Sequence, residues 1–282
     1  GVDYGNRFIG RYAVQNAILG ALALTPSISY AVNDKLSIGA GISALYTFFE
    51  QKIAVRQPFG VGDATVKFDD LDGWGAQAIL GMQYKFTDRL MLGVVYRSKA
   101  DTDLEGDVKT ENWQLPFRLA DDIEISWTNP QWLEAGIRYR LNDKTMVAVN
   151  LGWQAWSEFS ENELTIGDQV NVLDRNWDNT WHTGVALSYD LSERSRLALG
   201  FTYDSSPVED EFRTFDFPVD EMWKLSAAYG WAHGNNLQFA LGATVYFVGD
   251  APIDQTAQGV RVVGEYSTNR IAVVGGSLNY TF

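Results

Sequence analysis

The sequence predicts an all-β fold, a transmembrane antiparallel β-barrel, and three observations carry that prediction. Apolar and polar residues alternate with a period of two from one end of the chain to the other. The alternating segments run to about ten residues or more, the length a tilted strand needs to cross a bilayer, where soluble strands usually stop at five or six. The connections alternate between short polar turns and long charged loops, the asymmetry of barrels with small turns on one side and large loops on the other.

About eleven strands are expected. The first two, 19–31 and 35–51, join through Val32-Asn33-Asp34-Lys35; in the second, Leu36, Ile38, Ala40, Ile42, Ala44 and Tyr46 form one uncharged face that ends on an aromatic ring. A charged loop near 52–72 leads to the third, 73–86, and Thr87-Asp88-Arg89 turns into the fourth, 89–108. A loop near 109–120 precedes the fifth, 121–141, where Leu133, Ala135, Ile137 and Tyr139 share a face. Asn142-Asp143-Lys144 turns into the sixth, 144–160, with Val147, Val149, Leu151 and Trp153 together. After a loop near 161–175 come the seventh and eighth, 176–191 and 194–205, joined by Ser192-Glu193-Arg194. A loop near 206–219 leads to the ninth, 220–232, and His233-Gly234-Asn235-Asn236 to the tenth, 235–249, apolar at every odd position from Leu237 to Phe247. A last loop near 250–266 precedes the eleventh, 267–282, with Leu278, Tyr280 and Phe282 on one face and Ser277, Asn279 and Thr281 on the other.

The composition agrees. Ten Trp, thirteen Tyr and fifteen Phe among 282 residues are many for a chain with a net charge of −14, and strand ends capped by such rings form the girdles at the two membrane interfaces. The negative charge repels phosphate backbones, so no nucleic-acid partner is expected. Zero Cys removes disulfides and thiol chemistry, and two His leave little for a metal site; no metal and no cofactor are expected. No apolar run approaches the ~20 residues of a membrane helix.

If the apolar faces meet lipid, the alternate faces line a lumen. Arg97, Lys99, Arg138, His182 and Lys224 are the cations expected there, with Glu124, Glu134, Asn150, Asp178 and Asp204 among their neighbours. Such charges must pair or meet water, and the many Gly, Ala and Ser between them leave space inside. A hydrolase needs a nucleophile with a base in reach. Only His182 and His233 are available, one expected in the lumen and one in a turn, so an enzyme is not expected. A general porin or structural barrel is the alternative to a transporter. The acidic clusters Asp63, Asp69, Asp70 and Asp72, Glu161 and Glu163, and Glu209, Asp210 and Glu211 read as solvated loop faces. Phe59, Phe68, Trp113, Phe117, Phe212 and Phe215 stand out in these charged loops. They are expected to wall a site for an elongated apolar molecule.

An ordered set of motifs carries a further reading. Tyr96-Arg97-Ser98-Lys99, Asn129-Pro130-Gln131-Trp132, Trp153-Gln154-Ala155-Trp156-Ser157-Glu158-Phe159, Trp177-Asp178-Asn179-Thr180-Trp181, Tyr203-Asp204-Ser205-Ser206-Pro207-Val208 and the closing Asn279-Tyr280-Thr281-Phe282 follow one another along the chain. The set resembles the long-chain fatty acid and aromatic hydrocarbon transporters of bacterial outer membranes. The opening Asp3-Tyr4-Gly5-Asn6-Arg7-Phe8 and Leu36-Ser37-Ile38-Gly39 resemble it too. The resemblance implies a fourteen-stranded barrel with an amino-terminal hatch, and a substrate that is a long-chain fatty acid or another hydrophobic small molecule. It implies binding among the extracellular loops, then in the lumen, and exit sideways through the wall. It places a substrate-contacting aromatic at Trp177 and a carboxylate-binding Lys where this chain has Leu173; Arg175, two residues on, is the candidate for that role. Residues 1–282 are accordingly expected to form a single barrel domain that is amino-terminally incomplete, without the hatch and about three strands. Membrane lipid, lipopolysaccharide and the barrel assembly machinery are the expected partners of a monomer in the outer membrane.

Overall fold

The computed structural model describes residues 1–58, 61–234 and 236–281. Phe59, expected above as a site residue, lies outside them, as do Asn235 of a short turn and the terminal Phe282. The described residues form strands and two short 3-10 turns. In order these are β1 (Val2–Asp3), β2 (Asn16–Leu24), β3 (Ser27–Ala31), β4 (Leu36–Val55), β5 (Ala64–Lys85), β6 (Leu90–Arg97), β7 (Ala100–Glu111), β8 (Asp122–Asn129), β9 (Trp132–Arg140) and β10 (Thr145–Gln154). After the 3-10 turn Trp156–Phe159 come β11 (Glu161–Ile166), β12 (Gln169–Asp174), β13 (Thr180–Ser192) and β14 (Ser195–Asp204). The second 3-10 turn, Asp210–Phe212, precedes β15 (Met222–His233), β16 (Leu237–Val248), β17 (Ile253–Ala257), β18 (Val260–Gly264) and β19 (Arg270–Tyr280). No described helix is long and apolar enough to cross a membrane; the crossing elements are strands.

The pairings are antiparallel throughout, and neighbours in space are neighbours in sequence. β2 and β3 both pair with β4, and β4 pairs with β5. β6 and β7 both pair with β5, and then with β9 and β8 respectively. The wall continues β9, β10, β13, β14, β15, β16, β19. Three expected strands are therefore each split in two but keep one course. Two of the breaks fall at Pro26 and Pro130, because proline has no N–H to give the ladder. Counting each split strand once, the described residues give the wall eleven strands. Among the described residues no Cα register couples β19 to β2 or β3. All eleven residues of β19 and all five of β3 are exposed.

Facing is fixed by alternation in β15. Trp223, Leu225, Tyr229 and Trp231 are exposed, while Lys224, Ser226, Ala228 and Gly230 between them are half-buried. The Lys224 ammonium lies 2.9 Å from Asp204, so that face is the lumen. Opposed residues share a face, which places Gln238, opposite Ala232, inward and Leu241, opposite Tyr229, outward. Arg97, Arg138 and His182 are also on the inward face. Arg97 stacks 4.9 Å from the Trp132 ring, and Arg138 Nη2 lies 3.4 Å from Met91 Sδ. His182 Nε2 lies 3.9 Å from Glu134, which accepts a 2.7 Å hydrogen bond from Asn150.

Lys99 does not join them. At the break between β6 and β7 the parity changes: Ala100, Thr102 and Leu104 turn inward and are buried, so odd positions of β7 point out. Lys99 pairs with Asp101 at 2.9 Å, and Asp101 also accepts from Thr128. Glu124, expected in the lumen, also points outward, since Ile123, Ile125 and Trp127 occupy the inward positions of β8. Asp178 is an exposed loop residue.

Several expected loops are strands. β4 and β5 stay paired up to Val55 and Ala64, through the stretch expected as a loop near 52–72. The loop near 161–175 is the hairpin β11–β12, and the last loop contains the hairpin β17–β18. The charges in these stretches suggested loops, yet they alternate with apolar residues. Val66 and Phe68 are buried, with Lys67 between them, and Asp69, next along the strand, is held by Lys67 and Lys109. A bulge at Asp69/Asp72, with Asp70 at φ 54°, exchanges the faces of β5 at this point. Gly106 permits the close crossing there: a Cβ on it would lie 2.8 Å from the Leu71 backbone.

Among the described residues the buried hydrophobic cluster lies at the long-loop end. Val14, Phe68, Leu71, Leu104, Ile125, Trp127, Phe159, Trp177, Val208, Phe215 and Ile253 pack into one cluster built from upper strand ends and loops.

Candidate functional site

Within that packed end lies an apolar cavity of about 420 Å³, inside the 300–1,000 Å³ range of small-molecule sites. Four wall strands supply its floor: Phe49 and Ile53 from β4, Phe68 from β5, Leu104 from β7, and Ile125 and Trp127 from β8. Above the β5 bulge the inward positions carry large apolar side chains instead of the glycines and serines found lower down, and these form the floor of the cavity. The hairpin β11–β12 covers one side with Leu164, Val172 and Leu173, held by the pairing of β11 onto β8. Thr214, Asp216 and Phe217 from the loop after β14 cover another.

Arg175 enters where the chain leaves this hairpin. The N–H groups of Arg175 and Asn176 donate to the Ser160 carbonyl, at 2.6 and 3.1 Å, and Asn176 takes the left-handed conformation at φ 50°. This turn directs the Arg175 side chain inward, where it is 13% exposed. Its Nη1 donates to Asp216 at 2.8 Å and Thr214 at 3.3 Å, its Nε donates to Asn162 at 3.2 Å, and its guanidinium lies 5.1 Å from the Phe217 ring. Asn162 is itself buried and anchored to the Ser126 carbonyl at 3.0 Å.

The expected site residues divide into three groups. Phe68 and Arg175 line the cavity. Trp177 and Phe215 are buried behind it: Trp177 packs on Phe159 at 5.0 Å and Trp156 at 5.1 Å, and Phe215 packs edge-on to Phe8 at 5.2 Å. Trp113 and Phe117 form a separate pair, joined by the Trp113 N–H to the Phe117 carbonyl at 2.7 Å, and Phe212 is exposed at 39%. The sequence reading missed Trp127, Ile125 and Leu104, whose alternation was visible but was assigned to the lipid-crossing wall. It also missed Phe217 and Asp216, whose contacts with Arg175 span some forty residues and leave no local signal.

Among the described residues one acidic group, Glu50, Asp69 and Asp70, brings carboxylates within metal-binding distance. Lys67 and Lys109 already neutralise its centre, Asp69.

A family model described as outer membrane protein transport protein (OMPP1/FadL/TodX) matches residues 1–282. The chain belongs to this family. It is similar to the long-chain fatty acid transport protein of Escherichia coli O6:H1, 24% identical over 314 residues that cover 94% of this chain and 67% of that one. Two crystal structures share the fold. A Pseudomonas aeruginosa FadL homologue superposes with a TM-score of 0.86 at 20% identity, over 96% of this chain and 70% of that one. The Ralstonia pickettii toluene transporter TbuX gives 0.72 at 18% identity, over 99% and 74%. The chain spans about 65% of the length of the first curated relatives it matches. Membership of the OMPP1/FadL/TodX family makes this a β-barrel protein of the outer membrane, and the exposed apolar faces of the wall fit that setting.

Proposed function

We propose that the protein carries hydrophobic compounds, long-chain fatty acids or other apolar molecules, across the outer membrane. They are captured in the cavity at the long-loop end, which is the extracellular end in barrels of this type, and pass into the lumen below. The cavity supports this reading: it is walled by aromatic and aliphatic side chains, above inward wall positions that are small or polar. Passive passage fits the chemistry present better than catalysis does. His182 sits in the lumen beside Glu134, and His233 is exposed at the end of β15.

The proposal includes a completed wall. β2/β3 and β19 run in the same direction, as the first and last of eleven alternating strands must. Antiparallel closure between them takes an odd number of further strands, and three would bring the total to the even fourteen of the family resemblance. Surrounding lipid and lipopolysaccharide, insertion by the barrel assembly machinery and a monomeric state belong to the same proposal.

The test is uptake of a labelled hydrophobic compound into cells carrying the protein in their outer membrane. Leu164→Trp, which fills the cavity from β11, is expected to reduce uptake severalfold with no change in the amount of folded barrel. Uptake indifferent to this filling, or a steady large single-channel conductance for salt, would refute capture in the cavity and favour a general porin.

A further inference from the structure

We propose that the cavity selects neutral, largely apolar molecules, alkyl or aromatic hydrocarbons and their uncharged derivatives, over carboxylates. This rests on the reading of the cavity as the capture site and names the class of substrate it takes. The charged residues in its wall are Asp174, Arg175 and Asp216, two carboxylates against one cation. The cation is engaged within the chain. Asp216, only 10% exposed, takes Nη1 at 2.8 Å; Thr214 shares that nitrogen, Asn162 takes Nε, and Phe217 stacks on the guanidinium.

A ligand carboxylate approaching the remaining edge of Arg175 would stand beside Asp216 in a poorly solvated chamber. Two carboxylates on one cation repel, and one of them must then be displaced or protonated. A neutral molecule meets no such conflict, because the Arg175–Asp216 pair carries no net charge.

The rest of the wall suits such a guest. Phe68, Leu104, Ile125 and Trp127 are all buried, so the chamber surface is mainly carbon. The Trp127 Nε1 is a buried donor without a hydrogen-bond partner, and a weak neutral acceptor such as an ester oxygen or a ring face is enough to meet it. The volume of about 420 Å³ is well above the ~150 Å³ of an apolar cavity that takes benzene. It has room for a ring bearing an alkyl chain.

The test compares butylbenzene with 4-butylbenzoate on the folded barrel in detergent at about pH 8, where the benzoate is ionised, by calorimetry and by ligand-observed NMR. Butylbenzene is expected to bind about tenfold or more tightly than the benzoate. Asp216→Asn, which frees Arg175 at nearly constant shape, is expected to raise benzoate affinity about tenfold and so to narrow or abolish the preference for butylbenzene. Equal or tighter binding of the benzoate to the unaltered protein overturns the inference, and so does a loss of benzoate binding in Arg175→Gln, which would make Arg175 a carboxylate anchor. Binding of neither compound overturns the capture-site reading itself, and the inference with it.

Discussion

The lower wall and the packed layer above it use the same alternation of residues for different ends. In the wall, outward leucines such as Leu225 and Leu241 are 51% and 56% exposed, and inward positions are small or polar. In the upper layer, Leu71, Leu104 and Phe159 are fully buried. The wall is held by its backbone ladders, in which each strand satisfies its neighbour and lipid covers the apolar face. The upper layer is held by side chains, like the interior of a soluble domain. The two regions should therefore fail separately, and under different insults.

The largest effect is expected at Arg213, the most deeply buried charged side chain described, 2% exposed. It donates to the carbonyls of Val219 and Pro252, both at 2.7 Å, and pairs with Asp210 at 2.7 Å and Asp220 at 3.2 Å. These contacts tie the loop after β14 to the start of β17. Arg213→Met leaves Asp220 buried without its cation and should cost about 3–5 kcal/mol. Hydrogen exchange should quicken in residues 205–221 and 250–257 with the wall strands unchanged. A uniform loss across β13 to β16 would show that the two regions are one cooperative unit.

Leu241→Arg tests the other region. This position faces outward between Tyr229 and Gly276, and a cation near the bilayer midplane should cost about 2–4 kcal/mol. Urea titration of the barrel folded in vesicles measures the cost. The effect should shrink in detergent micelles, whereas that of Arg213→Met should not. If Leu241→Arg is neutral in vesicles, the assignment of faces in β15 and β16 is wrong.

The same contrast explains what the sequence could disclose. The wall was legible because its rule is local: Leu237 to Phe247 alternate without a break, and a one-residue slip would exchange lipid for lumen. The splits at Pro26 and Pro130 needed only the missing N–H. The upper layer follows no such rule. Lys99 and Glu124 were misplaced because a change of parity at Ser98-Lys99 and another across Pro130 leave the residue types unaltered. Phe68 was singled out as an apolar residue among charges and does line the cavity, yet the signal that raised it raised Phe117 equally, which lies elsewhere. Arg175 stands out only beside a family motif. Its partner Asp216 was not, and that partner decides what the guanidinium can still bind.

The smallest expected effect is alkaline. Tyr4 and Tyr266 hydrogen-bond to each other, and the Tyr4 hydroxyl also donates to the Phe215 carbonyl at 3.0 Å. Together they join the amino-terminal segment to the loop before β19, outside the membrane-crossing strands. Burial, first of all, pushes the pKa of both phenols up, and for Tyr4 the hydrogen bond with Tyr266 adds to it. A group whose proton is held more tightly in the folded state contributes stability that is present below the unfolded pKa, about 10 for tyrosine, and is lost as the pH rises beyond it. Above about pH 10 the upper layer should therefore loosen, seen as a change in tryptophan emission, while the far-ultraviolet dichroism of the wall holds. Replacing both residues, Tyr4→Phe with Tyr266→Phe, removes the titrating pair and should flatten that alkaline step at some cost in stability at neutral pH. An identical step in the double variant would place its origin in another group. A simultaneous loss of strand dichroism would mean that the wall depends on its upper layer after all.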